Sequence, residues 1–247
     1  MAKPIVFFGE LLIRLTAPGR ELLMQSHGFD VHVGGAEANV AVGLAHLGHD
    51  TAMVSAVPDN ALGRGAVSAI RAHNVDCSNV QARDGRMGLY FLAQGAGLRA
   101  SEIVYDRLGS SFAHMNAADF DWDILLRDAK MLHLSGITPA LGPQSAEAAL
   151  AAAKAAARMG IPISFDGNYR AMLWERWDSN PRAILSELIG HADILFGNHR
   201  DISLVLGQDF SGDGAFQPLA CGPLSGFENL RGGLFEAPVR HGRQRQR

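Results

Sequence analysis

Short, almost wholly apolar runs alternate along this chain with longer alanine-rich stretches in which apolar residues recur at helical spacing. Runs of the first kind predict strands, and stretches of the second kind predict helices that cover them. The expected strands are Ile5 to Phe8, Thr51 to Val57, Met131 to Ser135, Ile161 to Phe165 and Ile194 to Phe196. The expected helices are Ala38 to Leu47, Gly65 to His73, Gln144 to Met159, Pro181 to Ile189 and Arg200 to Leu206. Strand and helix in alternation predict an α/β protein, a Rossmann-type layered core built on a parallel sheet.

Two segments, about 10–33 and 87–107, break this rhythm. In the second, strand-like MGLYFLA and EIVYDR flank the glycines of QGAGLR, which predicts antiparallel strands of a small accessory sheet. Two-residue alternation places Ile103, Tyr105 and Arg107 on one face, with Tyr90 on the strand before. That face suits a carboxylate or sugar hydroxyls, or is simply a surface ribbon with ordinary aromatic packing. After Asp213 the apolar periodicity disappears and glycine, proline and arginine dominate, so residues 211–247 read as an irregular or disordered tail.

Composition narrows the function classes. A chain of 247 residues with 47% hydrophobic content can bury a sizeable core. Its net charge of −3 offers no basic face for nucleic acid. No apolar run is long enough to span a bilayer, and MAKPIVFFGE lacks the features of a signal peptide. Cys77 and Cys221, far apart and without metal-like neighbours, fit a reducing cytoplasm, the expected location. His46 and His49 read as a solvated helix end, and no metal ligand set stands out.

Three segments carry candidate chemistry. In GGAEANVAVGLAHLG, Gly34 and Gly35 lack Cβ atoms and let backbone N–H groups approach a ligand before the chain enters a helix with unpartnered first amides. Asn39 in its first turn can donate and accept. Val40, Leu44 and Leu47 recur at helical spacing and are expected to face the core, and Gly48 to close the helix as a left-handed cap. A tight strand-to-helix connection would use the same residues. The third glycine of the dinucleotide fingerprint is absent, which argues against a nicotinamide role. In FDGNYR, Asp166, Asn168 and Arg170 alternate at a strand's carboxyl end, the edge where ligands of open α/β sheets collect. Arg170 suits a carboxylate or phosphate, although an Asp–Arg pair holding a loop is a common outcome of such a sequence. Asn198 and Asp201 form an N-x-x-D step that also serves as a plain helix start.

Taken in order, Gly9 and Glu10 after the first strand, VGGAEANVAVGLAHLG, Tyr90, YDR at Tyr105 to Arg107, LHLSGITPAL, FDGNYR and NHRD resemble the PfkB (ribokinase-like) carbohydrate kinases, most of all the 2-keto-3-deoxygluconate kinases. The resemblance runs from Ile5 to about Gly207. It implies a Rossmann-like domain, here a partial one over residues 1–210, carrying a small β lid with the sugar between them. It further implies that Gly34, Gly35 and Asn39 hold substrate hydroxyls, that Tyr90 and Tyr105 contribute from the lid, and that Arg107 with Arg170 addresses the sugar-acid end. Asn198 and Asp201 match the family's N-x-x-E motif, which helps place magnesium and phosphate, with Asp in place of Glu.

The same resemblance implies ATP and Mg2+ as cofactors, and family members draw their catalytic Asp and anion hole from a later GAGD segment. This chain has no such segment. SGDGA at Ser211 to Ala215 follows the expected last helix too closely and runs into Pro218 and Pro223. As a calcium loop, DFSGDG fails at its twelfth position, Ala220. The expectation is therefore a sugar kinase for a sugar acid, with 2-keto-3-deoxygluconate as acceptor, whose nucleotide-binding part is missing through truncation or a frame change and whose activity is lost or impaired. A sugar-acid-binding pseudokinase or a non-functional fragment is the alternative, and ribose, fructose or a nucleoside the alternative substrate. The lid ribbons offer a surface for a homodimer.

Overall fold

The computed structural model describes residues 3–197 and residue 203. In chain order its elements are β1 (Ile5–Phe8), β2 (Leu12–Thr16), β3 (Asp30–Gly34), α1 (Ala36–His46), β4 (Thr51–Pro58), α2 (Ala61–Arg71), β5 (Asp76–Arg83), β6 (Gly88–Ala93), β7 (Glu102–Asp106), α3 (Trp122–Leu125), β8 (Met131–Ser135), α4 (Pro143–Arg158), β9 (Ile163–Asp166), α5 (Ala171–Trp174), α6 (Pro181–Gly190) and β10 (Ile194–Phe196). Asn198, Asp201, the expected helix Arg200 to Leu206, Cys221 and the 211–247 tail lie outside the described residues.

The main sheet has the order β10-β9-β8-β1-β4-β5, with every pairing parallel. Strand β1 shows why it sits centrally. Val6 and Phe8 point into one core with α4 and α6, while Ile5 and Phe7 point into a second with α1 and α2. A strand apolar on both faces needs a helix layer on each side. The alanines of α4, from Ala148 to Ala156, let that helix lie close to the sheet. From β1 the chain winds outward through β4 and β5, then crosses to β8 and winds the other way. The β1–β8 boundary is thus the switch point, where the strand carboxyl ends diverge and open a crevice.

The interrupting segments form the second sheet, with the order β3-β2-β6-β7. β2 and β3 are antiparallel, as are β6 and β7, and β2 pairs with β6 in parallel. Its strands leave the main fold after β1 and after β5, so the lid is hinged on the same edge that carries the crevice.

Several expectations need correction. Val40 and Leu47 do not face the core, being 40% and 75% exposed, whereas Leu44, partly buried, packs against the second core as expected. α1 instead buries Glu37, Ala38 and Ala41. Small residues bring that face close to the sheet, and Leu47 already lies past the last helical residue. Gly48 does take the left-handed conformation, at φ +84°. Helix α2 begins at Ala61 rather than Gly65, because Asn60 Oδ1 accepts from the N–H groups of Leu62 (2.9 Å) and Gly63 (3.2 Å). Strand β9 begins at Ile163 rather than Ile161, whose N–H still donates to Ala156 at the end of α4, at 2.9 Å. Strand β5 is not among the strands the apolar pattern predicts. Its polar sequence DCSNVQAR belongs to a sheet edge, where only part of one face is buried. No helix of the described residues is long and apolar enough to cross a membrane.

Candidate functional site

A cleft of about 370 Å³ lies between the lid and the carboxyl edge of the main sheet. Eight of the nine substrate-site residues expected from the sequence line it: Gly34, Gly35, Asn39, Tyr90, Tyr105, Arg107, Asn168 and Arg170. Asp166, the last residue of β9, does not line it. The remaining positions include Arg14 and His32 from the lid, which sequence reasoning passed over.

Each wall follows from local structure. Tyr90 and Tyr105 are direct cross-strand partners on β6 and β7, with ring centroids 6.1 Å apart. They form an apolar surface with hydroxyl tips, suited to one face of a sugar. The opposite wall is the turn after β9, where Asn168 adopts φ +35° and Arg170 is exposed, donating to the Tyr169 carbonyl at 3.1 Å. The floor is the glycine turn into α1. A Cβ on Gly35 would collide with the backbone carbonyl of Glu10, so only glycine lets β3 turn into α1 this close to the end of β1.

Two buried carboxylates hold the floor and the lid in place. Glu10, 2% exposed, accepts from Arg107 Nε and from a terminal guanidinium nitrogen, each at 2.7 Å, and from Ser110 Oγ at 2.5 Å. It therefore ties the residue following β7 back to the end of β1. Glu37, in the first turn of α1, accepts from Ser135 Oγ at 2.6 Å and Thr138 Oγ1 at 3.0 Å. Burial pushes its carboxyl above the usual range, against the opposing pull of those hydroxyls. A Cβ on Gly9 would occupy the space of the Glu37 carboxylate, so the glycine after β1 makes room for it. The sequence signal for Glu37 was present but easily missed: an acidic residue at a position whose helical neighbours, Ala38 and Ala41, are buried.

The electrostatics of the cleft are one-sided. Among the described residues three arginines and a histidine line it, and no carboxylate does. Such a lining suits an anionic ligand that also carries hydroxyls for Asn39, the tyrosines and the backbone N–H groups of the glycine turn. Among the described residues no group of three or more His, Cys, Asp or Glu could hold a metal ion.

A family profile described as pfkB family carbohydrate kinase matches residues 2–215. The chain belongs to this family. It is 34% identical over 209 residues to a 2-dehydro-3-deoxygalactonokinase of Haloferax volcanii, covering 85% of this chain and 65% of that one. Its fold matches the crystal structure of 2-dehydro-3-deoxygluconokinase from Thermotoga maritima with a TM-score of 0.80 and 39% identity, over 86% of this chain and 64% of the other. It also matches an uncharacterised sugar kinase of Pyrococcus horikoshii in complex with ATP, with a TM-score of 0.73 and 27% identity, over 84% and 68% of the two chains. The fold is ribokinase-like, as the order of motifs implied. The chain spans a little under two thirds of the length of the Haloferax and Thermotoga proteins.

Proposed function

We propose that this cleft binds the acceptor of a sugar kinase, a sugar acid of the 2-keto-3-deoxygluconate type, and that the activity served is transfer of a phosphoryl group from ATP to one of its hydroxyls. The observation that carries the reading is a lid-covered cleft lined by arginines, tyrosines and two asparagines, without a carboxylate among the described residues. The names of the Haloferax and Thermotoga relatives, both kinases of deoxy keto sugar acids, support the same class.

In this reading the N–H groups of the Gly34 and Gly35 turn and the Asn39 carboxamide meet substrate hydroxyls, while Tyr90 and Tyr105 cover the ring. Arg170 faces the acid end from the main-sheet side. Arg107, its charge countered by Glu10, offers its remaining N–H donors. Asn168, raised into the cleft by its left-handed backbone, adds a donor and an acceptor, and Asp166 supports the same turn from the end of β9. Lid and floor together exclude water from the acceptor, which favours transfer to the sugar over transfer to solvent. ATP with Mg2+ would supply the phosphoryl group. Asn198 and Asp201 are assigned to that side on the strength of the resemblance alone, and the described residues contribute no step there.

Calorimetric titration of the chain with 2-keto-3-deoxygluconate, beside fructose and ribose, tests the proposal. The expected result is saturable binding of the acid at one site, weaker binding of both neutral sugars, and a loss of roughly tenfold in affinity in Asn39→Ala, the size of one buried hydrogen bond. Tighter binding of ribose or fructose than of the acid, or no binding of the acid, contradicts it.

A further inference from the structure

Two exposed histidines meet at the far end of α1 from the cleft. His46 is the last residue of α1, and His73 lies in the turn that follows α2. Nε2 of His46 stands 3.0 Å from Nδ1 of His73, with ring centroids 5.1 Å apart and the rings tilted by 48°. The two positions are 27 residues apart in sequence, so the packing of α1 and α2 on one shared core brings them together. About 15 Å of helix separates the pair from the glycine turn of the cleft floor.

Neither ring is committed elsewhere. Among the described residues neither makes an ion pair, and neither makes another side-chain hydrogen bond. Two neutral imidazoles can hold each other through a single proton, yet the same spacing matches one edge of a metal coordination shell. With metal–nitrogen bonds of about 2.0–2.1 Å, nitrogens 3.0 Å apart subtend about 95° at the ion, close to the cis angle of a square-planar or octahedral centre. That angle suits Cu2+ or Ni2+, which favour imidazole, better than the tetrahedral arrangement of structural zinc. Mg2+ and Ca2+ seek oxygen ligands instead. Both histidines also stand at helix C-terminal ends, where the partial negative charge of the last carbonyls favours a cation.

We propose that His46 and His73 form a two-histidine site for a divalent transition metal of the Cu2+ or Ni2+ kind, bound through Nε2 of the one and Nδ1 of the other. On binding, the proton held between the rings moves to the far nitrogen of the ring that carried it, so that both coordinating nitrogens present lone pairs. Both rings are exposed, and each can turn its nitrogen onto the ion. No third His, Cys, Asp or Glu joins the pair among the described residues, so water completes the coordination. The ion staples the ends of α1 and α2 and is separate from any metal that accompanies ATP.

The test is titration of the chain, free of any histidine tag, with CuCl2 and NiCl2, followed by calorimetry and, for copper, by electron paramagnetic resonance. The wild type is expected to bind one ion saturably, with two nitrogens in the copper spectrum, and excess MgCl2 should not displace it. His46→Gln and His73→Gln should each weaken binding by at least about tenfold, because a lone imidazole loses the advantage of chelation. The two substitutions together should cost little more than either alone, and His49→Gln should bind as the wild type does. The metal should raise the thermal midpoint of the wild type and leave that of the double variant unchanged, since only the folded chain holds the pair together. Alanine at the same position repeats the comparison if a glutamine variant fails to fold. Copper held through one nitrogen, binding undiminished in both single variants, or no saturable binding by the wild type overturns the assignment.

Discussion

Glu10 and Arg107 form the pair on which the site's geometry most depends. Both are nearly inaccessible, at 2% and 4% exposure, so neither charge is relieved by water once its partner is gone. Breaking such a pair from one side typically costs about 3–5 kcal/mol, because an uncompensated charge stays buried. Glu10→Ala is therefore expected to lower the urea midpoint markedly, whereas Glu10→Gln, which keeps an acceptor for Ser110 Oγ, loses less. A midpoint unchanged in Glu10→Ala would show that the lid does not need this tie. Glu37 has the opposite character, since burial favours its neutral form. The folded state holds its proton to higher pH than the unfolded chain does, so stability contributed by the protonated group falls as pH rises from the ordinary carboxylate range toward the raised folded value. Glu37→Gln removes this dependence, and the variant should gain on the wild type as pH rises. Urea midpoints measured from pH 4 to 8 check this, and parallel pH profiles for the two proteins would contradict it.

At the scale of elements, the glycine turn between β3 and α1 brings lid, floor and main sheet together. Gly35→Ala pushes a methyl group into the Glu10 carbonyl and must shift the end of β1 or the start of α1. Overpacking of this kind costs typically about 1–3 kcal/mol, and here it also moves Asn39 and the cleft floor, so sugar-acid affinity should drop more steeply than stability. Thermal melts beside calorimetry separate the two effects. Much of this arrangement was legible in the sequence, because the central strands are apolar on both faces and the turn glycines are adjacent. The lid hairpin β6–β7 was legible for a related reason, its two strands being separated by a glycine-bearing connection. What escaped was written in weaker signals. β5 is polar because it lies at an edge, and the inward face of α1 is made of Ala38, Ala41 and an acidic residue rather than large apolar side chains. Arg14 and His32 escape a sequence reading because β2 joins the lid wall through its pairing with the distant β6, and no short motif records that register. Arg107 was legible as a cleft residue but not as half of a buried pair, since its partner is 97 residues away.

For the whole molecule, acid sensitivity should concentrate in the main sheet. His133 on β8 is packed against Phe7, with ring centroids 5.4 Å apart, and its Nδ1 lies 3.0 Å from Ser164 Oγ. Burial depresses its pKa to about 4 from an ordinary 6.5. The unfolded chain takes up a proton near the ordinary value while the folded one resists until about 4, so stability falls as pH drops through that window, by about 3 kcal/mol in all. His133→Gln should flatten this acid limb in pH-resolved urea unfolding, and an unaltered limb would assign the effect elsewhere. Glu37 acts in the opposite direction, losing stability as pH rises where His133 loses it as pH falls. The lid and the switch point of the sheet meet over one cleft, whose lining among the described residues is cationic and carries the Tyr90 and Tyr105 hydroxyls. The most direct measurement is a crystal structure of the chain soaked with 2-keto-3-deoxygluconate. The predicted result is density for the sugar acid between the Tyr90–Tyr105 wall and the turn bearing Asn168 and Arg170, with hydroxyls at the Gly34–Gly35 turn and Asn39. Density for the sugar acid only elsewhere on the molecule, such as beside Asp59, Arg83 and His114, or none in the cleft at saturating ligand, would contradict it.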